Sequence, residues 1–161
     1  MRTIAEERTL SSLVERLNRL LPETARRWGT LTAGEMLCHL ADTHESVMGT
    51  RIPAGPPPSG APRPALKRMA RPVVKLIALY TPIPWPKGKK TRPWVDPKLQ
   101  GTRPADFEQD RGRAIASLRR LAVAAPTTLS TRHFMFGPMS ARDWHRWAYR
   151  HVSYHLRQFG L

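Results

Sequence analysis

Leu10, Leu13, Val14, Leu17, Leu20 and Leu21 recur at intervals of three and four, the spacing that lays one apolar stripe along an α-helix. The same periodicity returns in Met36, His39, Leu40, Thr43 and Val47, in Phe107, Ala114, Ile115, Leu118, Leu121 and Ala122, and in Trp144, Trp147, Ala148, His151, His155 and Phe159. No stretch alternates convincingly with period two. Four long amphipathic helices without strands predict an all-α four-helix bundle.

Local signals place the ends of these helices. Thr9 is expected to cap the first and Pro22 to stop it. Thr32-Ala-Gly-Glu35 is a capping box for the second, which Gly49 should end. The third is expected from about Pro104 to Ala124, with the proline in its first turn. Ser140-Ala-Arg-Asp143 opens the fourth: Ser140 can cap it, and Asp143 sets negative charge against the positive end of the helix dipole.

Between the second and third helices, residues 50–101 read as a Pro-rich, basic, irregular insertion inside one domain spanning 1–161. Pro53 to Pro64 cannot be helical. Leu66 to Tyr80 recovers helical spacing, with Lys67, Arg68, Arg71 and Lys75 on one side and Leu66, Met69, Ala70, Val73 and Ile77 on the other, and Pro72 predicts a break in its middle. Residues 63–103 hold eleven positive side chains against Asp96 alone, so this stretch supplies +10 of the net charge of +15. A nucleic-acid or anionic-membrane contact through 63–103, with Trp85 and Trp94 as stacking or interfacial rings, is one use of such charge, although charge runs are usually solvated surface. Attraction of an acidic small molecule to a nearby site is a milder one.

The chemistry-bearing feature is His151-Val-Ser-Tyr-His155. Residues four apart on a helix stand one above the other, so both imidazoles can converge on one ion. His39 lies on the apolar face of the second helix, an odd place for a polar ring without a partner. His44 is rotated about 140° from it and is not expected to share its ligand. His39 lies about 10 Å into its helix, and His151 and His155 about 7 to 14 Å from the end of theirs, so the three meet at one level if the two helices run antiparallel. His133 and His145 are expected outside the site, as surface or loop residues. Three imidazoles leave a coordination position open, the pattern of catalytic rather than structural sites, and Zn²⁺, Ni²⁺ and Fe²⁺ all accept such ligands. The histidine pair lacks the glutamate of His-Glu-x-x-His zinc proteases. Without a metal, the same residues would form a polar pocket of hydrogen-bonded histidines.

Arg27-Trp-Gly-Thr-Leu-Thr32 leading into Glu35-Met-Leu-Cys-His39, and His133-Phe-Met-Phe-Gly-Pro-Met-Ser140 leading into Trp144 and His151-Val-Ser-Tyr-His155-Leu-Arg-Gln-Phe159, resemble the DinB/YfiT-like superfamily of metal-binding bundles, most of all a subgroup known only as a domain of unknown function. The resemblance implies an up-down-down-up bundle in which one histidine of the second helix and two of the last surround a divalent ion, here His39, His151 and His155. Characterised relatives include thiol-dependent S-transferases and a mycothiol-dependent isomerase. The resemblance therefore implies a metal-dependent thiol transferase or hydrolase that activates water or a low-molecular-weight thiol for a small-molecule substrate. The competing expectation is a non-catalytic binding module whose insertion engages nucleic acid, membrane or protein. A homodimer would suit exposed bundle faces.

The single cysteine, Cys38, excludes an internal disulfide framework and is expected to be a small packed thiol rather than a nucleophile. No charged-then-apolar leader is visible, no apolar run is long enough to be a transmembrane segment, and a cytoplasmic location is expected.

Overall fold

Five helices carry the fold in the computed structural model, which describes residues 2–51, 70–88 and 90–161. They are α1 (Glu7–Asn18), α2 (Ala33–Val47), α3 (Arg71–Tyr80), α4 (Phe107–Val123) and α5 (Ala141–Gln158). Single 3₁₀ turns lie at Pro93–Val95 and Pro126–Thr128. Contrary to the expectation of no strands, β1 (Arg132–His133) pairs antiparallel with β2 (Gly137–Pro138) ahead of α5. Two residues a side are too few to leave an alternating pattern in the sequence.

Hydrogen bonds at the helix ends give the directions. Ile4 N donates to His145 O near the starts of α1 and α5, and Arg16 reaches the Leu161 carbonyl beyond their ends, so these two run parallel. Arg27 N donates to Gln158 O where α2 approaches its start, while Ser130 N donates to Val47 O at its end and Trp144 bonds Ser130 O. The start of α2 therefore meets the end of α5, and the two are antiparallel. Arg113 pairs with Asp42 and Glu45, and His44 with Ser117, in the same order along α2 and α4. The four long helices thus run up, down, down, up.

α2 is buried on more than one face. Met36, His39, Leu40 and Val47 turn inward as the periodicity predicts, but Leu37, Cys38, Ala41, Asp42 and His44 are buried too, against α4. The apolar cluster joins Leu13 and Leu17 of α1, Met36 and Leu40 of α2, Leu118 and Leu121 of α4, and Trp144, Val152 and Leu156 of α5. Each such leucine contributes about 1.5–3 kcal/mol of transfer free energy.

Several boundary or facing expectations are corrected. Thr9 does not cap α1, which starts at Glu7; its hydroxyl donates to the Glu6 carboxylate at 3.0 Å. The helix ends at Asn18, before Pro22 is reached. α4 starts at Phe107 because Asp106 accepts from Gln109 N, which leaves Pro104 in the preceding loop, where its ring lies beside Gly34. In α3, Pro72 falls in the first turn, where its missing N–H costs nothing, and the described helix starts beside it at Arg71. The expected apolar face of α3 is turned out, with Val73 57 % and Ile77 42 % exposed, while Leu79 is buried and Lys75 reaches inward to Asp143. The expected Leu66–Met69 portion lies outside the described residues, as does the Pro53–Pro64 loop. Among the described residues no helix is long and apolar enough to cross a membrane.

Candidate metal centre

The antiparallel passage of α2 and α5 brings His39 level with His151 and His155, and all three rings are buried. His151 Nε2 lies 3.2 Å from His39 Nε2 and 3.2 Å from His155 Nε2. One ligand nitrogen from each ring falls within 4.8 Å of the others, so the group could hold a metal ion. Nitrogens about 2.0–2.1 Å from a tetrahedral ion would stand about 3.3 Å apart, close to the spacing seen.

Hydrogen bonding on the far sides of the rings decides which nitrogens are bare. His39 Nδ1 lies 2.8 Å from the Val95 carbonyl, and His155 Nδ1 lies 2.6 Å from Gln158 Oε1. Both partners are acceptors, so both Nδ1 atoms carry the proton and both Nε2 atoms present lone pairs to His151. A proton on His151 Nε2 can be shared with only one of them. A cation between the three satisfies every lone pair at once, which is the fit a divalent ion requires. His151 Nδ1 is buried without a hydrogen-bond partner among the described residues, and its ring is stacked on Trp147 at 4.5 Å.

Burial drives the pKa of all three below the usual histidine value, most strongly for His151 and His155, where neighbouring histidines add to the effect. Neutral imidazole is the form that ligates metal. His44 is equally buried, with Nδ1 3.0 Å from Ser117 Oγ, and burial pushes its pKa down to about 3. It faces α4, away from the triad, as its helical phase predicts.

The basic insertion forms much of the wall around these histidines. Val95 supplies the carbonyl for His39, and the Trp85 ring lies 6.3 Å from His151, its indole N–H held by Ala78 O. Asp42, fully buried three residues along α2 from His39, anchors the return of the insertion by accepting from Thr102 N at 2.6 Å and Thr102 Oγ1 at 2.8 Å, with Arg113 and Arg51 on the same carboxylate. Several cations of the basic stretch are engaged within the protein: Lys75 with Asp143, Lys98 with Glu35, Lys87 over Trp28 and Arg92 over Phe134. Arg63, Lys67, Arg68 and Lys89 lie outside the described residues.

A cavity of about 1140 Å³ opens from the triad, bordered by Trp85, Trp94, Phe134, Trp147 and Tyr154 among others. Trp85 and Trp94 thus line an interior space. His133, expected outside the site, is a wall of this cavity, stacked on Phe136 at 4.4 Å and 5.9 Å from Trp147. Sequence distance misled here because the β1–β2 turn folds back along α5. His145 is not a surface residue either: it is half-buried and hydrogen-bonded to the Leu121 backbone. Cys38 is buried on the α4 side, where burial and Asp110 push its thiol up to about 12.

Two supporting residues escaped the sequence reading. Gln158, one turn after His155, carried a legible signal in its i, i+3 spacing. Val95 carried none, since any residue offers a carbonyl. The Arg27–Thr32 segment gains a physical role through Gln158: Gly29, at φ +89°, lies so close to the Gln158 amide that a side chain there would displace it.

The sequence pattern of the DinB superfamily matches residues 4–159. No curated protein and no solved structure matches the chain.

Proposed function

Since the chain belongs to the DinB superfamily over nearly its whole length, we propose that His39, His151 and His155 hold a divalent metal ion, and that the site serves transfer of a low-molecular-weight thiol, or of water, to a small electrophile. The observation that carries this reading is the convergence of three Nε2 atoms, two of them bare because Val95 and Gln158 hold the ring proton on Nδ1. Three protein ligands leave a position for an exogenous molecule. The chemistry such an ion supplies when bound is Lewis acidity, which makes a thiol or a water molecule nucleophilic at neutral pH.

The protein's own groups do the rest. Val95 and Gln158 hold two rings in the ligating tautomer, Trp147 packs flat on the third, and Trp85 closes the wall beside it. Cys38 cannot serve as the thiol, being buried away from the cavity and held protonated. The nucleophile has to enter from solution.

Metal analysis of untagged protein tests the first half: about one equivalent of Zn²⁺, Ni²⁺ or Fe²⁺ is expected, falling below about a tenth in His39→Ala and His151→Ala. Transfer of a low-molecular-weight thiol to a chromogenic aryl halide tests the second. Activity that persists after chelation and in both variants would exclude the metal from the reaction.

A further inference from the structure

α3 is turned the opposite way from the long helices, whose apolar stripes face the core. Its exposed side chains are Pro72, Val73, Val74, Leu76 and Ile77, all apolar, with Leu76 as open to water as Val73 at 57 %. Its two cations, Arg71 and Lys75, are half-buried, and Lys75 is tied inward to Asp143 and the Pro138 carbonyl. Ile83, 55 % exposed, lies just past the end of the helix. Single exposed apolar residues are ordinary, but a set sharing one helix face marks a contact.

The surroundings of this face are positive. No acidic residue occurs in the chain between Glu45 and Asp96. Arg150 of α5 donates to the Thr81 carbonyl at 3.0 Å and to the Ile83 carbonyl, neutral partners that leave its charge in place beside the patch. Lys87 and Lys90 follow on the same segment and are exposed. Val74, Ile77 and Ile83 are exposed and also border the cavity that opens from the histidines, so the face continues into the rim of that cavity.

These properties select one kind of partner. A ten-residue helix is about 15 Å long. One such strip is well short of the about 800 Å² that each partner gives to a stable protein interface, which argues against a second copy. Nucleic acid is held by phosphate contacts and aromatic stacking, and an aliphatic centre serves neither. A phospholipid surface matches both parts, since aliphatic side chains enter the acyl boundary while the cations around them stay among the headgroups.

We infer that α3 and Ile83 dock the protein on an anionic bilayer surface, with the helix lying in the interface and the rim of the cavity against the lipid. This docking needs no metal, so it stands apart from the reading of the histidine site.

Co-sedimentation of the full-length protein with sucrose-loaded vesicles tests it. Partitioning onto phosphatidylcholine vesicles containing about 30 mol% phosphatidylserine should be at least about tenfold stronger than onto phosphatidylcholine alone, and should weaken between about 0.05 and 0.3 M salt. Val73→Asp should lower it at least about tenfold. Leu76→Lys separates insertion from simple attraction: it adds positive charge but removes an apolar side chain, so binding should fall, whereas a purely electrostatic contact would strengthen. Both positions are exposed and neither borders the cavity, so the thermal unfolding midpoint should be unchanged in both variants. Equal partitioning onto the two vesicle types, binding undiminished in both variants, or stronger binding by Leu76→Lys would overturn the inference. So would a salt-sensitive complex with duplex DNA in protein that ignores both vesicles, or a dimer that Leu76→Lys dissociates. Vesicle binding by protein that holds no Zn²⁺ would remove the metal reading alone, and a Zn²⁺-binding protein that ignores vesicles would remove this one alone.

Discussion

Gln158 Oε1 stands 2.6 Å from His155 Nδ1, one turn earlier on α5, and the Gln158 carbonyl accepts from Arg27 N at 2.6 Å in the segment that leads into α2. One residue thus ties the orientation of a candidate ligand to the junction of the two helices that form the site. Gln158→Leu removes the acceptor without removing the ring. Metal affinity should fall about 10–100-fold, as for other supports of ligating histidines, while the melting temperature of the metal-free protein changes little. Competitive titration with a chelator of known affinity measures the first, and thermal unfolding in that chelator the second.

Asp42 presents a different dependence. Its buried carboxylate receives Arg113 at 2.7 Å, Arg51 at 3.1 Å and two hydrogen bonds from Thr102. Asp42→Ala leaves Arg113 without one of its counter-charges and the Thr102 amide without its acceptor, a loss of about 3–5 kcal/mol. At about 2–4 °C per kcal/mol for a chain of this length, differential scanning calorimetry should show the midpoint lowered by roughly 6–20 °C.

His44 should govern part of the acid limb of stability. Its folded pKa is about 3 because burial opposes the charged form, and among the described residues Nε2 has no partner to share that charge. The unfolded chain takes up that proton near pH 6.5, so the folded state is disfavoured progressively from there down to about pH 3, at about 1.4 kcal/mol per pH unit for one proton. Replacing it as His44→Leu should flatten the limb between pH 6 and 4 by up to that slope, as read from urea midpoints across roughly this range.

Asp143 acts in the opposite sense. Burial alone would raise its pKa, but hydrogen bonds from Ser140, Tyr80 and Lys75 outweigh that and hold it at about 2. Its contribution is therefore complete above the ordinary carboxylate range and lost as pH falls through about 2. Asp143→Asn forfeits the Lys75 ion pair at 3.0 Å and leaves one carbonyl oxygen where two now accept from Tyr80 O–H and Ser140 N–H. Since Lys75 and Tyr80 belong to α3, the variant should loosen α3 from α5, seen as faster amide exchange in 71–80 with the α2–α4 contact unchanged.

Much of this was legible in the chain. Three-four spacing identified all four long helices, and the capping box at Thr32 and the cap at Ser140 placed two of their starts to the residue. The exposed Val73 and Ile77 of α3 were not legible, because the face of a short helix in a loop-rich insertion is set by the contact that fixes it, here Lys75 on Asp143. Nor was the wall role of His133, which depends on a two-residue ladder too short to leave a periodic signal.

Sequence by itself determined the helices, their buried stripes and the vertical pairing of His151 and His155, because helical periodicity and capping are local and repeat within a few residues. Tertiary structure decided the rest. His39 reaches His151 at 3.2 Å across 112 positions of sequence only because α2 and α5 pass antiparallel. The proton on its far nitrogen is fixed by a carbonyl at Val95 that any side chain would have left in place. Chain direction and backbone acceptors carry no residue code, so the way three imidazoles present their Nε2 atoms is a property of the packed bundle rather than of the letters that spell it.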